Sequence, residues 1–234
     1  MKKSSIIITV ILVLILGLTL FASCKGKEKE EEKSALEKRL STYQDAVYVG
    51  SNEDFQADFI TGEKEKLIVI DGEVGEMIPF ATLTVTPRSS ALFNNTYSYV
   101  LTGEAGEKRG ELVKDVVGAA FSAEVTGSEE IGKILSLKIV SEGIMESEIT
   151  FVNKVDGTIS RKQVLEIAER EFRDAINAES DTGNLEREIY VKLVNALSDE
   201  EAPYYYYVSF IKSPSDYWAL LLDPMTGEVI SKKI

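Results

Sequence analysis

The sequence predicts a mostly β protein that ends in an α+β unit: an N-terminal antiparallel β-sandwich followed by one helix packed on an antiparallel sheet. Three observations carry this. From Ala46 to Val152, short runs of period two recur about every ten residues, with glycines between them. From Val164 to Ile176 the apolar period is helical. From Ile189 to Ile230 the period returns to two.

The first residues stand apart from both domains. Lys2-Lys3 is a basic start, and Ile6 to Leu20 is apolar except for Thr9, Gly17 and Thr19. Phe21-Ala22-Ser23-Cys24 follows at once. Small residues directly before the chain's one cysteine resemble a lipobox. Residues 1–23 therefore read as a lipoprotein signal peptide and Cys24 as the lipid attachment site. Each buried methylene contributes ~0.8 kcal/mol, and two or more acyl chains anchor stably. The expected location is extracytoplasmic, lipid-anchored to the bacterial cell membrane; an uncleaved signal anchor would leave the body on the same side. Residues 24–33, rich in Lys and Glu and without an apolar residue after Cys24, form a hydrated tether.

Residues 34–152 are the predicted sandwich. Ser34-Ala35-Leu36-Glu37 has the spacing of a capping box, with Leu36, Leu40 and Tyr43 as one stripe of a short helix. Strands follow at Ala46–Val49, Phe55–Ile60, Leu67–Ile70, Phe80–Thr86, Tyr97–Thr102, Leu112–Val117, Ala119–Val125, Ile134–Val140 and Ile144–Phe151. An immunoglobulin-like arrangement suits such spacing, although the Cys-Trp-Cys signature is absent. Glu107–Val117 also admits a helix, but Gly110 and the valines favour a strand. Residues 153–158 are a short linker.

The C-terminal unit, residues 159–234, opens on Ile159-Ser160-Arg161-Lys162-Gln163-Val164. Ser160 and Gln163 can exchange hydrogen bonds as a capping box, and Ile159 can touch Val164 across the turn. The helix should start at Arg161, with Val164, Leu165, Ala168, Phe172, Ala175 and Ile176 on its buried face. After a polar turn, Ala178 to Asn184, come strands at Ile189–Val194, Tyr204–Ile211 and Tyr217–Leu222. Asp223-Pro224-Met225-Thr226-Gly227 is turn chemistry before a last strand at Glu228–Ile230.

These pieces resemble a PepSY domain. The likeness is carried by Ile159-Ser160-Arg161 leading into Ile167-Ala168, by Tyr206-Tyr207-Val208-Ser209-Phe210, and most of all by Asp223-Pro224-Met225-Thr226-Gly227-Glu228-Val229-Ile230. It covers about the last third of the chain. What it implies is a non-catalytic module of thermolysin-type propeptides and bacterial envelope proteins, one that binds or restrains peptidases. The acidic connection from Ser198 to Pro203 and the four consecutive tyrosines depart from the family pattern.

Composition excludes much chemistry. The chain of 234 residues has no histidine, and its one cysteine sits at the anchor. A Ser-His-Asp triad, a cysteine nucleophile, a disulfide and the commonest metal ligands are all missing from the body. The formal charge is −13, or −15 once Lys2 and Lys3 leave with the signal, which repels nucleic acid. Asp181-Thr182-Gly183 matches the triplet of aspartic peptidases, but its polar flanks read as an exposed turn. Asp71-Gly72-Glu73 and Ser51-Asn52-Glu53-Asp54 lack the spacing of a calcium loop. Nothing around Lys138 or Lys192 marks a serine nucleophile. No cofactor and no metal are expected.

The tyrosine run is the most informative anomaly. If Tyr206, Val208 and Phe210 face the helix, Tyr205, Tyr207 and Ile211 face away, and Tyr217 and Leu221 join them from the next strand. A sheet open to water should alternate cleanly between apolar and polar. This face is therefore the candidate binding surface, covered by the N-terminal domain, a second copy in a dimer, or a separate partner. The expected function is a non-enzymatic binding module of the cell envelope whose partner is an extracytoplasmic protein, a peptidase among the choices. The alternatives are an interdomain receptor or sensor for a peptide or small ligand, and a hydrolase working with carboxylates alone.

Overall fold

A single twelve-residue strand, β1 (Leu40–Ser51), serves both halves of the chain. The structure, a computed structural model, describes residues 34–66, 76–115, 117, 119–179, 185–195 and 202–234. The chain divides into Met1–Ser34 and Ala35–Ile234, and every element below belongs to the second unit. The predicted signal peptide, Cys24 and the tether lie outside the described residues. So do the predicted strand Leu67–Ile70, Asp71-Gly72-Glu73, Asp181-Thr182-Gly183 and the acidic stretch Ser198–Glu201.

From β1 the ladder runs antiparallel through β2 (Phe55–Glu65), β3 (Met77–Pro87), β6 (Ala120–Glu124), β5 (Gly106–Asp115), β4 (Tyr97–Gly103), β7 (Ile134–Ser141) and β8 (Met145–Thr150). β5 changes partner along its length, with Gly106–Leu112 facing β4 and Val113–Asp115 facing β6. After β8 comes β9 (Val152–Asn153), whose residues pair with Tyr48 and Val49. The pairing thus returns to β1 through these two residues. Gly50 makes the return possible, because a Cβ there would lie 2.4 Å from the Thr150 carbonyl oxygen. Alternate residues such as Phe55, Phe59, Leu83, Leu101, Leu137 and Ile139 are fully buried inside. Tyr97 sits edge-on to Phe55 and Phe121, with centroids 5.4 and 4.9 Å away.

The other half continues from the opposite edge of β1. β10 (Glu188–Asn195) pairs with it in parallel through Leu40, Thr42 and Tyr43, and β11 (Tyr204–Ser213), β12 (Asp216–Leu222) and β13 (Val229–Lys233) follow antiparallel. The described strands form one 13-stranded sheet. Where β1 parts from β10, the Gln44 side chain accepts the Leu193 amide at 2.7 Å, and Asp45 is the extra residue of a bulge against β2. The segment after β9 stays on β1 as well, since Lys154 N–H donates to the Val47 carbonyl at 2.9 Å.

The described α-helix, α1 (Arg161–Glu179), starts as its sequence requires. The Ser160 amide donates to Gln163 Oε1 at 2.9 Å and the Gln163 amide returns to Ser160 Oγ at 3.3 Å. Val164, Leu165, Ala168 and Phe172 are buried with Tyr206, Val208, Phe210, Trp218, Leu220 and Leu222. Each large side chain so buried contributes roughly 1.5–3 kcal/mol. Leu40, Tyr43, Val47 and Val49 of β1 belong to the same cluster. Its neighbour Tyr48 belongs to the core of the ring. One strand thus lines both cores. Among the described residues the fold is mostly β with one α-helix, an α+β arrangement.

The turn at Asp223–Gly227 has a packing role. Asp223 Oδ1 accepts the amides of Met225 and Thr226, both at 2.8 Å. The Ile159 amide donates to the Pro224 carbonyl at 2.8 Å, which ties the turn to the start of α1. Gly227 has φ +73°, and a Cβ there would meet Ile167 Cδ1 at 2.8 Å.

The short helix expected through Leu36, Leu40 and Tyr43 is overturned, whereas the strand favoured over a helix after Glu107 forms. Around Ser34–Tyr43 only Glu37–Arg39 is helical, as a 3-10 turn without a side-chain cap, and Leu40 already begins β1. Leu36, Leu40 and Tyr43 are buried as predicted. A short helix would nucleate poorly, whereas the strand gains ladders to β2 and β10. Gly106–Asp115 is likewise a strand.

Candidate functional site

The helix fixes which side of the C-terminal sheet is left. With Tyr206, Val208 and Phe210 buried, Tyr205, Tyr207 and Ile211 turn to the opposite face of β11, and Tyr217 and Leu221 do so on β12. Register then sets their neighbours. Ile211 stands between Glu188 and Tyr217, and Tyr207 between Lys192 and Leu221. Ser209 lies between Tyr190 and Ala219, and Ala219 is followed by Lys233 on β13. All five residues singled out from the sequence share one face.

They are half-buried and belong to neither apolar cluster. Ser209 and Ala219, between them, are buried at 3% and 6% exposure. The N-terminal strands meet this sheet at its edge, through β1 beside β10. The tyrosines therefore form a broad aromatic floor whose small residues are closed over by large ones.

Lysines complete the face. Lys233 Nζ lies 3.4 Å from the centroid of the Tyr217 ring, and Lys192 Nζ lies 5.6 Å from that of Tyr190. The sequence places Tyr190 and Lys192 on the same side of β10 by alternation, but nothing local predicts that Lys233 lands beside Tyr217. That depends on the pairing of β12 with β13. The Tyr190 hydroxyl donates to Glu188 Oε2 at 2.5 Å, which with burial and the Glu188 charge pushes its pKa up to about 12. Burial raises the Tyr207 phenol as well. At neutral pH both phenols keep their protons and can donate.

Other sequence candidates have structural partners. Asn52 accepts the amides of Asp54 and Phe55 and donates to Ser147 Oγ and the Glu148 carbonyl, so it organises a turn. Lys138 pairs with Glu146 at 2.6 Å. Among the described residues no cluster of three His, Cys, Asp or Glu is arranged to hold a metal ion. A cavity of about 350 Å³ beside β1 and β2 is lined by Asp45, Glu63 and Glu129, with Tyr48 and Phe80. Asp45 accepts the Thr61 hydroxyl at 2.5 Å and Glu63 pairs with Arg161. No described helix is long and apolar enough to cross a membrane.

Compared with known proteins, the chain matches no family model, no curated protein and no solved structure.

Proposed function

We propose that this protein is a lipid-anchored envelope protein, held outside the cell through Cys24, whose PepSY-like C-terminal unit binds another extracytoplasmic protein without turning over a substrate. The observation that carries the proposal is the half-exposed aromatic face of Tyr205, Tyr207, Ile211, Tyr217 and Leu221 on rigid strands. Tyrosine is enriched where proteins meet, because it offers a large apolar body with few rotatable bonds and a polar tip. The N-terminal strands then act as the support that carries this face away from the membrane. A peptidase is the partner that the family likeness favours, and restraint of that peptidase is the corresponding role.

Cross-linking in cells followed by capture of the full-length chain tests this. One extracytoplasmic protein should be recovered, and Tyr205→Ala with Tyr207→Ala should lose it while the chain stays folded and acylated. Recovery of the same protein with both tyrosines gone, or of none at all, contradicts the proposal. Mass analysis of the mature N-terminus should find diacylglyceryl on Cys24; an unmodified Cys24 removes the anchor.

A further inference from the structure

Two rings on the candidate surface are already capped by cations, Tyr217 by Lys233 and Tyr190 by Lys192. A ring face occupied by an ammonium is closed to stacking by a sugar or a base. What the surface presents there is a positioned cation with phenolic donors around it. Both lysines are exposed, and among the described residues neither enters a salt bridge. The chain as a whole carries −13. The carboxylate of the same face, Glu188, is held by the Tyr190 hydroxyl, so the two lysines at either side of an apolar face run against the general charge and match an anionic occupant.

From this charge pattern we infer that the second face of the β10–β13 sheet holds an acidic, extended polypeptide segment of a partner protein. Its carboxylates meet Lys192 and Lys233, and its apolar side chains cover Tyr207, Ile211 and Leu221. The inference rests on the proposal that this face is a partner surface. A sulfated or phosphorylated glycan supplies the anions but not the apolar groups that Ile211 and Leu221 call for.

The spacing narrows the segment. β10 and β13 are three strand separations apart in the sheet order. At ~4.8 Å per strand that is roughly 14 Å across, and register sets Lys192 two residues along the strands from the row of Lys233. The resulting separation of roughly 16 Å is what an extended chain at ~3.4 Å per residue covers in about four to five residues. The recognised pattern is two acidic residues about four to five apart, with apolar residues between them, lying across the strands.

Fluorescence anisotropy with the full-length chain in detergent micelles provides the test. The probes are a labelled decapeptide with Glu at two positions four apart and Leu and Val between, the same peptide with Gln or Lys in place of Glu, and dextran sulfate as competitor. The Glu peptide should bind, with at least a tenfold loss for Gln and for the Lys192→Glu/Lys233→Glu double variant, and a further loss for Tyr207→Ala. Equal binding of the Glu and Lys peptides, undiminished binding to the double variant, or competition by dextran sulfate as strong as by unlabelled peptide overturns the inference. If no peptide binds while the cell-captured partner is still lost with Tyr205→Ala/Tyr207→Ala, the acidic segment is wrong and the partner surface stands. If both fail, both fall. Circular dichroism melts of each variant show that the fold is retained.

Discussion

The hydroxyl of Tyr43 on β1 lies 3.3 Å from that of Tyr206 on β11, with ring centroids 6.2 Å apart and planes inclined by 25°. Tyr206 donates onward to Thr158 Oγ1 at 3.1 Å, so the shared proton is the one on Tyr43. This chain of three hydroxyls ties the first strand, the connection into α1 and the central C-terminal strand together inside an apolar cluster. It is the polar lock of the joint between the two halves.

Replacing Tyr206 by Phe leaves the buried Tyr43 hydroxyl without its acceptor. The expected loss is about 1–2 kcal/mol, read from urea unfolding. Tyr43→Phe combined with Tyr206→Phe should lose less than the sum of the two, because the second change removes the orphan left by the first.

The same burial predicts an alkaline weakness. Desolvation first, then the hydrogen bond with Tyr206, pushes the Tyr43 phenol far above its ordinary range. Burial, aided by Asp58, pushes Tyr204 up to about 12. In the unfolded chain tyrosine ionises near pH 10. The fold holds protons that the unfolded chain releases, so this stability is complete below roughly pH 10 and declines as pH rises above it. Urea midpoints at roughly pH 8, 10 and 11 should fall in that order, and Tyr43→Phe should flatten the decline.

Among the described residues Arg187 is the most deeply placed charge of the C-terminal unit, its side chain 4% exposed. It grips Glu179 at the end of α1 through Nε at 2.9 and 3.0 Å and Nη2 at 2.5 Å, reaches Asp216 on β12 at 2.9 Å, and stacks on Trp218 at 3.9 Å. Arg187→Ala should cost about 3 kcal/mol, since it removes the buried guanidinium fork that Glu179 and Asp216 share and uncovers the indole. Arg187→Lys should recover less than half of that, because an ammonium cannot reproduce the planar fork.

The turn beneath α1 is testable with two glycines. Gly227→Ala meets both a left-handed backbone, φ +73°, and the Ile167 side chain; Gly143→Ala meets only the backbone, φ +70°, in open space. Expected losses are about 2 and about 1 kcal/mol respectively, measured as thermal midpoints. Equal losses would mean that Ile167 yields freely and that the turn does not seat the helix.

What could be seen beforehand was local. The Ser160–Gln163 exchange, the turn at Asp223–Gly227 and the division of β11 into a buried and an outward row all follow from residues within one turn or strand. The joint was not legible. Leu36, Leu40 and Tyr43 have helical spacing, yet a 3-10 turn followed by a strand with irregular register buries all three. The parallel pairing of Leu40 with Ile189 joins segments far apart in the chain and leaves no trace in either. The return of β9 to β1 is hidden for the same reason. Lys233 was invisible as a surface residue because only long-range register brings it to Tyr217.

The central claim is that the tyrosine face meets another protein, and a photoreactive amino acid placed at Tyr207 tests it most directly. In living cells it should give one adduct of defined mass with an extracytoplasmic protein, while the same group at the exposed Val152 gives none. No adduct at Tyr207, or the same adducts at both positions, would contradict it.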